Sequence, residues 1–140
     1  MKKKVIMLFT FLAISVLLSS CIVTSHDWEA DISCDDFWEE PDSLSNDFTV
    51  EIGDKITVKL CSNPSTGFKW EYETIGETVL KEEDYDFEEP DSDIVGADGK
   101  EVWTFEAIKR GTTEIRMEYS RPWEGGEKAE WTYTIYVTVE

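Results

Sequence analysis

The chain has 140 residues, with 31 acidic against 13 basic side chains, one histidine and three cysteines, and a net charge of −18. That balance makes nucleic acid and anionic lipid headgroups poor partners. The length suits one domain around one core, and no CxxC-like spacing offers a metal site.

Lys2, Lys3 and Lys4 precede an apolar run from Val5 to Leu18. The run is too short and wrongly flanked for a permanent membrane span, and residues 1–20 read as an export signal. It ends in Leu18-Ser19-Ser20-Cys21, which resembles the bacterial lipoprotein signal: an aliphatic residue, two small residues, then a cysteine to be acylated. The expectation is an extracytoplasmic protein held to a membrane by a lipid on Cys21. Loss of the three lysines takes the net charge to about −21.

Residues 21–47 are rich in acids and show little apolar periodicity, and read as a tether. Trp28, Phe37 and Trp38 are unusual for a pure spacer and are candidates to dock on the domain. His26 falls in this segment. A Ser–His or Cys–His pair would have to use it, so no enzyme is expected. Cys34 and Cys61 could form a disulfide outside the cytoplasm, but spacing alone does not establish the geometry.

From Phe48 to Glu140 apolar residues recur at every second position in short stretches, the pattern of strands with one buried face. Phe48, Val50 and Ile52 open the series. Ile56, Val58 and Leu60 follow the Gly53-Asp54 turn, and Phe68, Trp70 and Tyr72 form a third, aromatic strand. Residues 79–81 give a short fourth, and residues 102–107, 114–119 and 131–139 complete seven. Lys109-Arg110-Gly111 makes a turn between the fifth and sixth. About seven short strands with frequent turns predict an all-β, immunoglobulin-like β-sandwich, with a small barrel as the structural alternative. The acidic run 82–93 lacks the residue order of an EF-hand loop and reads as a solvated, mobile connection.

If each connection reverses the chain, those after the second, fourth and sixth strands emerge at one end. They carry Asn63-Pro64-Ser65-Thr66-Gly67-Phe68, Gly96-Ala97-Asp98-Gly99 and Arg121-Pro122-Trp123. Pro64 fixes its own φ and Gly67 permits a left-handed return, giving a stiff loop that loses little entropy on binding. Arginine and tryptophan are the residue types enriched in binding hot spots.

In this order the three segments resemble those of the chagasin family of cysteine peptidase inhibitors, over residues 48–140. Ser65 stands where threonine is commoner, and Asp98 takes the third place of a loop that is often G-x-G-G. The resemblance implies a reversible, non-covalent inhibitor of papain-like cysteine peptidases, with the three loops forming a wedge across the active-site cleft. The Asn63–Phe68 loop would approach the catalytic cysteine, the Gly96–Gly99 loop would fill the non-prime side, and Trp123 would pack on the prime side, with Arg121 holding its loop or pairing with an enzyme acid. No cofactor or metal is implied, and a monomer is expected. The rival reading is a surface lipoprotein of the same fold in adhesion or envelope assembly. One contiguous ridge favours inhibition; scattered loops with Trp123 buried favour the rival.

Overall fold

Period-two alternation leaves one face of each strand apolar, and two such sheets close on each other to exclude water. In the computed structural model, which describes residues 25–39, 43–90 and 94–140, this produces two four-stranded sheets. The strands are β1 (Asp27–Ile32), β2 (Ser43–Val50), β3 (Lys55–Ser62), β4 (Lys69–Gly76), β5 (Leu80–Glu88), β6 (Gly99–Ala107), β7 (Gly111–Ser120) and β8 (Trp131–Val139). A six-residue helix, α1 (Cys34–Glu39), lies between β1 and β2. One sheet has the order β1-β3-β6-β5 and the other β2-β8-β7-β4. The pairs β1–β3 and β2–β8 are parallel and the rest antiparallel. The expected immunoglobulin-like sandwich is the fold, and the seven expected strands correspond to β2 through β8.

The inward faces follow the alternation closely. Ile56, Val58 and Leu60 of β3 meet Ile115 and Met117 of β7 and Tyr133, Ile135 and Val137 of β8 in one buried cluster. Ile52, assigned to the first strand by its spacing, instead sits half exposed in the turn after β2.

Two stretches differ from the sequence expectation. Within residues 21–47, read as a tether, β1 and α1 join the domain, and β2 begins at Ser43 rather than near Phe48. The alternation of Trp28, Ala30 and Ile32 is the signal of β1, masked by the acids between them. Those acids meet lysines of β3 and, one strand further on, of β6: Glu29 lies 3.5 Å from Lys59, and Asp31 pairs with Lys100. The second difference concerns residues 82–88, expected as a mobile connection. They belong to β5, an edge strand with a bulge between Glu82 and Asp84. Here too lysines of β3 draw the acids in, with Lys55–Glu83 at 2.7 Å and Lys59–Glu88 at 3.1 Å. Charged edge strands also discourage edge-to-edge association. The expected export signal, the expected lipid acceptor Cys21 and residues 91–93 lie outside the described residues.

α1 is held through its first turn and through Phe37. Asp36 accepts from the Ser33 backbone N–H and hydroxyl, both at 2.7 Å, while Ser33 Oγ accepts from the Asp36 N–H at 3.3 Å. This reciprocal cap ties down the first turn and lowers the Asp36 pKa through the hydrogen bonds from Ser33. Cys34 forms a disulfide with Cys61 of β3, with the two Cα atoms 5.1 Å apart. Phe37 is 1% exposed.

Candidate functional site

The β3–β4, β5–β6 and β7–β8 connections reach the same end of the sandwich and touch one another. In the first, Asn63 caps a 3-10 turn at Pro64–Thr66, and its side-chain oxygen accepts from the Ser65 N–H at 3.1 Å and from the Ser65 hydroxyl. Thr66 Oγ1 donates to the Asn63 carbonyl at 2.7 Å. Gly67 closes the turn at φ 81°, its N–H donating to the Pro64 carbonyl at 3.1 Å. A left-handed residue is required there, which is the reason for glycine. The loop is therefore rigid before it meets anything.

The same asparagine reaches the second loop. Asn63 Nδ2 donates to the Gly96 carbonyl and to Asp98 Oδ1, each at 2.8 Å. Asp98, the departure from the family's glycine pattern, thus serves as an acceptor that ties the two loops together. Gly99 opens β6 and is buried, and a Cβ there would meet the Glu88 carbonyl and the Phe87 ring at 2.5 Å. Ala97 is half-buried, its N–H bonding Ile94 O at 3.1 Å.

Arg121 joins the third loop to the first. Its guanidinium lies 4.5 Å over the Phe68 ring, its Nε donates to the Thr66 carbonyl at 3.3 Å, and its NH1 pairs with Glu127 at 2.6 Å. Pro122 is exposed. Trp123 is 52% exposed and lays its ring on Gly67, so closely that a Cβ on that glycine would stand 2.6 Å from Trp123 Cη2. The predicted loop residues Asn63 to Phe68, Gly96 to Gly99 and Arg121 to Trp123 are therefore brought together as one ridge. Pro64, Ser65, Thr66, Gly96, Asp98, Pro122 and Trp123 present exposed surface along it.

Beneath the ridge lies a foundation whose assembly sequence reasoning did not give, although it marked Phe37 as a candidate to dock on the domain and Phe68 as part of the first loop. Phe37, Trp131, Tyr119 and Phe68 form a column of stacked rings with centroids 4.8, 5.0 and 5.2 Å apart, and Arg121 closes it. Offset ring stacking and a cation over a ring face both add stability beyond area burial. The Tyr119 hydroxyl accepts from the Asn63 N–H at 2.9 Å, anchoring the first loop from below. Glu101, 4% exposed, braces both stems of that loop: Oε1 accepts from Ser62 Oγ at 2.7 Å and from the Trp70 N–H at 3.2 Å. Its Oε2 accepts from the Tyr85 hydroxyl at 3.1 Å. Burial, then the nearby Glu101 charge, push the Tyr85 pKa up to about 12, so the phenol remains a donor. Nothing in the one-dimensional pattern distinguishes Glu101 from the chain's other acids, because its partners come from three other strands.

The ridge offers binding surface and hydrogen-bonding groups and, among the described residues, no nucleophile poised beside a base. His26 is far from it, at the end of the sandwich where β3 begins. Its N–H donates to Asp54 Oδ1 at 2.8 Å and its imidazole is largely solvent-exposed. Among the described residues, the ligand atoms of Cys34, Cys61 and Asp98 converge within 4.8 Å. The two sulfurs are joined to each other, so they present no thiolate to a metal.

Comparison with known proteins places this arrangement in context. The family described as "Chagasin family peptidase inhibitor I42" matches residues 49–137. Chagasin of Trypanosoma cruzi is 33% identical over 94 residues, covering 64% of this chain and 84% of its own. Amoebiasin-2 of Entamoeba histolytica is 34% identical over 91 residues, covering 64% of this chain and 74% of its own. The crystal structure of a cysteine protease inhibitor from Entamoeba histolytica superposes with a TM-score of 0.65 at 24% identity, spanning 84% of this chain and all of that one.

Proposed function

The chain belongs to the chagasin family of peptidase inhibitors, and from this premise we propose that it is a reversible, non-covalent inhibitor of papain-like cysteine peptidases that blocks the active-site cleft with its three-loop ridge. It is not an enzyme. The observation that carries the reading is the lacing of the three loops into one preorganised edge by Asn63, Arg121 and Trp123. A blocking wedge needs rigidity and shape rather than a nucleophile, and a loop already in its bound form loses less entropy on association.

The residue roles are those that the family resemblance implies, and the arrangement of the ridge is compatible with them. The turn Asn63–Phe68 stands in the middle, tied to the other two loops, and would approach the catalytic cysteine. The Gly96–Gly99 loop would lie along one side of the cleft and Trp123 along the other. Arg121 would hold its loop through Phe68 and Glu127. The rival reading, an adhesion or envelope lipoprotein, has no such specific support, since scattered loops and a buried Trp123 would favour it and Trp123 is 52% exposed.

The protein further reads as extracytoplasmic and anchored through a lipid on Cys21, on the strength of the Leu18-Ser19-Ser20-Cys21 sequence. The Cys34–Cys61 disulfide supports an oxidising compartment. A monomer is the expected state, as the high negative charge disfavours self-association. Titration of papain with the purified protein tests the function. Competitive inhibition is expected, reversed on dilution, with the inhibitor recovered intact; covalent time-dependent inactivation, or none at micromolar protein, would refute it.

A further inference from the structure

The ridge has a flank that its three loops do not account for. α1 is fixed against it by the Cys34–Cys61 disulfide, only two residues before Asn63, and by Phe37 stacked on Trp131 at 4.8 Å. The next residue, Trp38, points outward. It is 71% exposed and touches the protein edge-on, its ring 5.5 Å from that of Trp131. Between Trp38 and the ridge lies a mainly apolar cleft of about 230 Å³, lined by Cys34, Trp38, Phe68, Tyr119, Arg121 and Trp131.

We propose that α1 is a fourth contact element, and that the cleft between Trp38 and the Phe68–Arg121 face takes an apolar side chain from the rim of the target peptidase's active-site groove. This deepens the inhibitor reading and rests on it. Continuity decides the occupant: Asn63, Thr66, Phe68, Asp98 and Arg121 belong both to the cleft wall and to the ridge, so an enzyme seated on the ridge brings the edge of its groove over the cleft. The volume suits one large side chain. Asp98 and Glu130 at the margin favour a basic neighbour beside that side chain on the enzyme. A second copy of this chain is a poor occupant, because each carries a net charge of −18.

Trp38 has the character of an anchor rather than of a stray apolar residue. Its backbone is held by a capped, disulfide-tied helix, so little freedom remains to be lost on binding. Tryptophan is also the side chain most enriched where binding energy concentrates.

Papain inhibition by the full chain, Trp38→Ala and Trp123→Ala, with thermal unfolding of each and hydroxyl-radical labelling of Trp38 with and without papain, tests the proposal. Trp38→Ala should raise the inhibition constant roughly 10- to 100-fold, with little change in melting temperature. Trp38 should also be protected from labelling in the complex. An inhibition constant within about 2-fold of wild type, or labelling unchanged by papain, overturns the fourth contact while leaving the ridge intact if Trp123→Ala still weakens binding. Wild-type protein that does not inhibit papain overturns both readings. A dimer dissolved by Trp38→Ala at unchanged inhibition assigns the surface to self-association and overturns the proposal.

Discussion

Replacing Gly67 by alanine probes whether the ridge works as one unit. Gly67 sits at φ 81°, and its missing Cβ is filled by the ring of Trp123, whose Cη2 would lie 2.6 Å from the new methyl. The left-handed backbone costs an L-residue about 1–2 kcal/mol. Because the clashing atom is the far end of a half-exposed side chain, the ring swings away and adds little to that cost. For a domain of this size such a loss lowers the melting temperature by roughly 4–15 °C. Binding suffers separately, since the displaced tryptophan no longer presents its face. A hot-spot tryptophan contributes about 2–4 kcal/mol on truncation, or roughly 30- to 1,000-fold in the inhibition constant. Trp123→Ala should show that binding loss with a nearly unchanged melting temperature, because Trp123 fills no core cavity. Gly67→Ala should show about a tenfold or greater binding loss together with the stability loss. The decisive measurement is the double variant, assayed by papain inhibition and thermal unfolding. If Gly67 acts through Trp123, adding Gly67→Ala to Trp123→Ala should weaken inhibition by no more than about 3-fold, a clear departure from additivity. Fully additive losses, or a large stability loss for Trp123→Ala with unchanged inhibition, would refute the seating of the ring on the first loop.

Asn63→Ala removes the side chain that joins the first two loops and caps the 3-10 turn. Inhibition should weaken by about tenfold or more as the bridge is lost, with stability falling by roughly 1 kcal/mol for the cap, read from the inhibition constant and from urea unfolding. Asp54, buried where β1 meets β3, accepts from the backbone N–H groups of His26 at 2.8 Å and Glu51 at 2.9 Å. These bonds lower its pKa below the ordinary 3.8, so its contribution is fully present above that value and is lost as the pH falls through the lowered one. Asp54→Asn should therefore lower stability at neutral pH and flatten the acid dependence below pH 3.8, with hydrogen exchange in β1 rising first on acidification of the wild type. For the export signal, Cys21→Ser should release soluble protein or leave an unprocessed precursor; mass spectrometry of a wild-type mature protein that begins elsewhere and carries no lipid would argue against acylation.

The strands of the sandwich were legible because burial imposes a period of two, and Ile56-Val58-Leu60 or Tyr133-Ile135-Val137 obey it without interruption. The three loop segments were legible for a related reason. Pro64 and Gly67 carry their backbone restrictions in their own covalent structure, and strand reversal alone gathers the connections at one end. Tertiary structure decided what charge had hidden. β1 and most of β5, from Glu82 onward, are acidic stretches that chain-local reasoning assigns to solvent; they are paired in the ladders of β3 and β6, where Lys55, Lys59 and Lys100 offset their charge. The same holds for the Cys34–Cys61 bond, which spacing left open, and for Glu101, whose three hydrogen-bond partners lie 39, 31 and 16 residues away in the chain. Periodicity and turn chemistry are properties of neighbours in sequence. Ion pairing, disulfide bonding and buried hydrogen-bond acceptance depend on neighbours in space, which exist only once the two sheets have closed.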